Sequence, residues 1–267
     1  FMVPDSPIPI ILVGSQRSSD RPSSDAALNL IHASYAAGHG DIAETLVCMF
    51  GPTSDEYGFL HRGTRVRKMH SSYRSTFRTI GDTPAATVTR EGLKIIKTEF
   101  KHRRKDRDVK IIPTFNEKVT MLYYYPHMQG DIIDSLVDAG YKGIVIVGTG
   151  LGHVNRELYP ALERARDKGV SVFMTLQTIW GYAHMFVYDT GRDMMALGVT
   201  PLGNMLPEVA WVKLGWALGQ TEDPKKIKEI MLTPINDDIT EREPYNGYLV
   251  YQGGVPEVEG FVRKFRK

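Results

Sequence analysis

From Ile8 the chain reads Ile-Pro-Ile-Ile-Leu-Val and closes on Gly14, an apolar run that predicts a buried strand. A polar segment follows, and at Asp25 the period changes. Over Asp25–Ala37 the positions Ala27, Leu30, Ile31 and Ser34/Tyr35 recur at helical spacing, with Asp25 placed as N-cap or first-turn acid. Glu44–Phe50 is a second continuous apolar run and predicts another buried strand. Strand, helix and strand in that order predict a parallel βαβ unit. Tyr57-Gly58-Phe59-Leu60 and the basic run behind it read as an excursion off the sheet edge.

The pattern changes over residues 84–118 and then resumes with a second strand–helix alternation. Strands are predicted at 119–125, 143–148 and 170–175. Helices are predicted at 130–139, closed by Gly140, and at 158–168, closed by Gly169. Two more are predicted at 207–218, between a proline and Gly219, and from Asp223 or Pro224 to Leu232. Elements of this length and order imply a second parallel sheet. The expected organisation is α/β: residues 1–100 in one domain, a linker at 101–118, a smaller α/β domain at 119–232 and a tail at 233–267. The charge run Lys101–Arg107 suits a solvated linker or hairpin tip, with an RNA or partner contact as the sharper alternative.

Composition narrows the function classes. The 267 residues are 42% hydrophobic and 24% charged, ordinary for a globular chain. No apolar run approaches the ~20 residues of a membrane-spanning helix, so no membrane partner is expected. Asp5 and the prolines at 4, 7 and 9 break up the first ten residues, so no secretory signal is expected either. The one cysteine, Cys48, lies in an apolar run and reads as a small buried hydrophobe in a reducing, cytoplasmic protein. A net charge of +2 is too small to argue for nucleic-acid binding by itself.

Three stretches can carry chemistry. Gly14–Asp25 leaves the C-terminal end of a strand and precedes a helix, where open α/β sheets bind ligands; an ordinary polar βα loop has the same pattern. In Arg62–His70, an extended segment would show Thr64, Val66 and Lys68 on one face and Arg65 and Arg67 on the other. A lysine among cations is expected to lose its proton more readily, which suits proton transfer; a solvated edge strand fits as well. Gly148–His153 again follows a buried strand, but its glycines alternate and do not form a dinucleotide fingerprint. His153 at its tip is either a plain loop histidine or a ligand contact. Trp211 and Trp216 fall on an apolar helix as core or interface residues. His61, His70 and His184 lack metal-ligand spacing, so no metal is expected.

Taken together and in order, these stretches resemble the asparaginase/glutaminase amidohydrolases, most of all the amidotransferase branch, the D subunits of archaeal glutamyl-tRNA(Gln) amidotransferases. Val187–Arg192 and Met205–Gly219 continue the resemblance, which runs from about Pro9 to Thr233. It implies an asparaginase-like fold: a larger N-terminal parallel-sheet domain, of which residues 1–100 are the C-terminal part, and a smaller C-terminal α/β domain. It implies release of ammonia from glutamine, used by a partner E subunit to convert Glu-tRNA(Gln) to Gln-tRNA(Gln). Lys68 falls on the catalytic lysine, the backbone at Ser15 lies beside the substrate amide, and His153 reaches a substrate across a homodimer. The nucleophilic threonine, a second threonine and an aspartate belong upstream of Ile8 and are not found in the chain. The implied cofactors, ATP and Mg, sit on the E subunit, as does the tRNA contact; none is expected in this chain. Two positions depart from the family pattern: Thr178, where cysteine is usual, and Asn204, where aspartate is usual. A free L-asparaginase and a non-catalytic assembly subunit are the alternatives.

Overall fold

The computed structural model describes residues 1–51, 55–106, 108–245, 247 and 248. It divides into two compact units, one built on Val3–Lys110 and the other on Ile111–Glu241 with Phe1–Met2.

The first unit opens with β1 (Ile10–Val13), α1 (Ala26–His39) and β2 (Thr45–Phe50). β1 and β2 pair in parallel, Ile10 opposite Thr45, so the predicted βαβ unit is present. β3 (Gly58–Arg62) then returns antiparallel to β2 with all five residues buried. This corrects the expectation of an excursion: Tyr57–Leu60 leads into a central strand. Two polar residues hid it, and both find hydrogen-bond partners inside. Arg62 donates to both Glu44 oxygens, at 2.6 and 2.8 Å, and to the Glu99 carbonyl at 2.7 Å. His61 Nδ1 meets Thr79 Oγ1 at 2.8 Å.

β4 (Val66–Lys68) and β5 (Phe77–Thr79) form a separate hairpin, with Lys68 opposite Phe77. β6 (Ala86–Val88) and β7 (Leu93–Ile95) complete a five-stranded sheet in the order β1-β2-β3-β6-β7. These two short strands lie within 84–118, where the sequence pattern gave no strand. Ala33, Ala36, Leu46, Cys48, Leu60 and Val88 are at the centre of this unit's core.

The inward face of α1 also differs from expectation. Leu30 and Ile31, two of the apolar positions that mark the helical period, are 56% and 43% exposed. Asn29, His32, Ala33 and Ala36 are buried instead. The small face is what the packing needs, because Gly58 of β3 comes so close that a Cβ there would lie 3.1 Å from His32 Nδ1.

The second unit alternates strand and helix. β8 (Val119–Tyr123), α2 (Asp131–Asp138), β9 (Gly143–Gly148), α3 (Tyr159–Asp167) and β10 (Ser171–Leu176) follow the sequence pattern closely. α4 (Asp189–Ala196) and β11 (Thr200–Pro201) were not anticipated; α5 (Pro207–Gln220) and α6 (Pro224–Leu232) end the unit's regular structure. The sheet is wholly parallel, in the order β11-β10-β9-β8. Alternation along β9 sorts one apolar run onto two faces. Ile144 and Ile146 pack with Ile133, Leu158 and Leu162 from the α2 and α3 side. Val145 packs with Leu214, Ala217 and Ile227 from α5 and α6.

Gly140 and Gly169 take φ of +77° and +74° just past α2 and α3, the left-handed closure their positions predicted. Gly219 behaves otherwise. α5 runs through it to Gln220, because Gly215 and Gly219, one turn apart, make room for Phe115 and the Thr114 backbone against the helix. Of the predicted tail, residue 246 and residues 249–267 lie outside the described residues. Its nearer part bends back through 235–238, where Asp238 is fully buried against Lys213 of α5.

Candidate functional site

The loop between β1 and α1 is held from inside. Asp25, 1% exposed, was expected to cap or charge the first turn of α1, but its carboxylate makes no cap. Its oxygens instead receive the backbone N–H of Gln16 at 3.0 Å and of Arg17 at 2.9 Å. Asn29, one turn on, donates from Nδ2 to Asp25 Oδ2 at 2.7 Å and to the Gly14 carbonyl at 2.9 Å. These two oxygens, with Met49 Sδ at 3.7 Å, are all acceptors, which fixes the amide's orientation. Asn29 Oδ1 is left buried and without a partner among the described residues. Arg17 is held further by Ser24 Oγ donating to its carbonyl at 2.9 Å and by its own guanidinium donating to Ser23 Oγ at 2.8 Å. Ser15 is exposed at the centre of this bracing, its own side chain unpartnered among the described residues.

Lys68 ends β4 and is exposed, its side chain making no hydrogen bond or ion pair among the described residues. The turn after it is tightly organised. Met69 N–H donates to the Thr76 carbonyl at 2.8 Å, and His70 Nδ1 accepts the N–H of Ser72 and Tyr73 at 3.1 and 3.0 Å. Gln16 ties this turn to the Ser15 loop, its Nε2 donating to the Ser71 carbonyl at 2.9 Å. The two sequence-predicted segments of the first unit are therefore neighbours. Arg65, three residues before Lys68, is fully buried and takes no part in an exposed basic face.

His153 belongs to the second unit and sits on a turn after β9. Thr149 and His153 bridge through two backbone bonds, at 3.0 and 2.9 Å, with Gly150 and Gly152 in the left-handed region at φ +54° and +103°. Only glycine takes these angles readily, so the alternating glycines are explained by turn geometry. The imidazole is half-buried. Its Nδ1 lies 3.0 Å from Thr190 Oγ1, and its ring meets Tyr188 edge-on at 5.3 Å. Nε2 is buried with no partner among the described residues. Thr190 and Tyr188 lie in a stretch singled out by sequence only for its resemblance; the Thr190 contact with His153 spans 37 residues and has no local signal.

Asn204 is buried and bonded both ways to Thr240, its Oδ1 accepting the backbone N–H at 3.0 Å and its Nδ2 donating to Oγ1 at 2.7 Å. An aspartate there would lose the donor. Thr178 is exposed, and nothing in the structure explains its departure from cysteine. Burial pushes the Cys48 thiol up to about 12, consistent with an inert core residue. Among the described residues no three His, Cys, Asp or Glu side chains converge to hold a metal ion. No helix among them is long and apolar enough to cross a membrane.

Residues 1–101 match the family described as "Asparaginase, N-terminal", and residues 118–231 match "Glutaminase/Asparaginase C-terminal domain". Among curated proteins, the chain is 48% identical over 250 residues to the glutamyl-tRNA(Gln) amidotransferase D subunit of Thermococcus kodakarensis, covering 93% of this chain and 56% of that one. The corresponding protein of Pyrococcus furiosus is 47% identical over 251 residues, covering 94% and 57%. The chain thus spans little more than half the length of these relatives. Among solved structures, the thermostable L-asparaginase from Thermococcus kodakarensis superposes with a TM-score of 0.79 at 30% identity, covering 90% of this chain and 70% of that one. L-asparaginase I from Vibrio cholerae gives a TM-score of 0.77 at 24% identity, with the same coverage, a likeness of fold.

Proposed function

The chain belongs to the glutaminase/asparaginase family, and from that premise we propose that it carries part of the amide-hydrolysing site of a tRNA-dependent amidotransferase, with glutamine as the amide. One observation carries the reading. Gln16 holds the Ser15 loop against the turn that follows Lys68, so the exposed lysine and the exposed loop lie on adjoining segments. Amide hydrolysis needs both: a group that takes the nucleophile's proton, and a surface that orients the carboxamide.

In this reading a hydroxyl attacks the amide carbon and its proton leaves through a relay that includes Lys68 Nζ. The same proton passes to the leaving nitrogen as the C–N bond breaks, and ammonia departs. Water then cleaves the acyl ester and restores the hydroxyl. We assign the attacking hydroxyl to chain outside these 267 residues, a reading supported by the greater length of the amidotransferase relatives. The partner is an amidotransferase E subunit, which would hold ATP, Mg and the tRNA. His153 is proposed to reach substrate across a symmetric homodimer, a reading that rests on its position in the family motif. Sedimentation as a single copy under assay conditions would remove that part.

Glutamine is favoured over asparagine because identity is far higher to the amidotransferase relatives than to the L-asparaginases. In the complete protein, kcat/KM for ammonia release should favour L-glutamine over L-asparagine by about 10-fold or more, the discrimination one methylene can supply. A preference for L-asparagine of that size would instead assign a free L-asparaginase.

A further inference from the structure

Asp25 and Asn29 point into the protein on a helix face otherwise made of alanines and His32, and they carry buried polar groups at a position where apolar side chains would pack. Neither serves the helix. Asp25 makes no side-chain cap to α1, although a carboxylate at that position is well placed to make one. Its two oxygens are used on the N–H groups of Gln16 and Arg17, the residues directly after Ser15. Asn29 takes the carbonyl of Gly14, the residue directly before it. The backbone on both sides of Ser15 is therefore fixed by one buried pair, itself joined at 2.7 Å. From the fixed Gln16 backbone, its side chain reaches Ser71, three residues past Lys68.

We propose that Asp25 and Asn29 are positioning residues for the substrate amide. They set the Ser15 backbone, and through Gln16 they set its spacing from the Lys68 turn. The inference rests on the reading of Ser15 and Lys68 as parts of an amide-hydrolysing site. A charge-assisted pair of N–H bonds is stiff, and a loop held this way keeps its orientation before substrate arrives. Asp25→Asn replaces one acceptor oxygen with a donor that must face an N–H, so the loop loses one bond and gains a repulsion.

The experiment measures KM and kcat for L-glutamine in the complete protein, with thermal unfolding of every variant. Asp25→Asn is expected to raise KM about 10-fold, the scale of one charge-assisted bond, while kcat falls less than KM rises. Gln16→Ala removes an exposed bond, so its fold should be unaffected, and its KM should rise about 3-fold. Lys68→Met, measured alongside, should lower kcat with KM nearly unchanged. If Lys68→Met behaves so while Asp25→Asn folds and both it and Gln16→Ala keep the parent KM, the positioning role is overturned and the site reading stands. If Lys68→Met keeps full kcat, the site reading itself fails. If Asp25→Asn does not fold, Gln16→Ala decides: a parent KM overturns the proposal and a raised KM upholds it.

Discussion

At the scale of single residues, the informative ones are the buried polar groups. His61 is 1% exposed, edge-on to Phe59, with Nδ1 against Thr79 and Nε2 without a partner among the described residues. Burial, and after it the positive charge of Arg78, hold its pKa down from 6.5 to about 3. His32 is lowered too, chiefly by burial and then by Arg90. The sign for stability follows. Between pH 3 and 6.5 unfolded His61 binds a proton and folded His61 does not, so the unfolded state holds more protons and stability rises with pH. The stability is complete above pH 6.5 and drains away as pH falls toward 3. Urea unfolding of the first unit should therefore weaken steadily on acidification, and His61→Gln should flatten that slope by up to one proton. Parallel pH curves for parent and variant would show that His61 is not the group responsible.

Asp25 shows how far a sequence goes at this scale. Its place just before a helix was legible, but its choice of partner was not. A carboxylate there meets helix N–H groups or loop N–H groups depending on how the loop closes, and nothing local decides that.

At the scale of elements, long apolar runs were read correctly and mixed ones were not. β9 and β10 are buried between two helical layers, and continuous runs of Val, Ile and Phe leave little choice. β3 was missed because Gly58, His61 and Arg62 interrupt it, and its burial depends on Glu44, 18 residues away from Arg62. α1 was found, but its face was wrong: Leu30 and Ile31 satisfied the helical period while the close approach of Gly58 selected Asn29, His32 and the alanines. Gly219 matched a helix stop, but it serves instead as a gap for Thr114.

The bond between α5 and the chain after α6 was equally invisible, because its two partners are 25 residues apart. Lys213 Nζ donates to Asp238 Oδ2 at 2.6 Å and to the carbonyls of Met231 and Thr233 at 3.2 and 2.6 Å. It therefore closes the C-terminal end of α6 while neutralising a fully buried carboxylate. Removing one partner strands the other charge. Lys213→Met should destabilise the protein by about 3–5 kcal/mol. Adding Asp238→Asn should add much less than its own single effect, since the stranded charge is gone. Strictly additive values in chemical denaturation would mean that the two side chains do not act as a pair.

At the scale of the molecule, two strand–helix patterns separated by a charge-rich stretch correspond to two compact units, each with its own sheet and core. The family was legible because its motifs are loops that follow strands: Gly14–Asp25, Arg62–His70 and Gly148–His153. The structure gives those loops physical content. The first two are tied together by Gln16, and the third presents a histidine oriented by Thr190 and Tyr188. What remained illegible is the bracing behind them, from Asp25, Asn29 and Thr190, which depends on contacts distant in sequence or on a choice between equivalent partners.

The central claim is that this fold hydrolyses an amide with Lys68 as the proton carrier. Its most direct test is a single-turnover measurement of ammonia release from L-glutamine by the complete protein, comparing parent with Lys68→Met. Lys68 is exposed and unpartnered among the described residues, so the variant should unfold at the parent temperature. Its acylation rate should fall by roughly 100-fold or more, the scale of a lost acid–base group. A Lys68→Met protein that releases ammonia at near the parent rate would contradict the account.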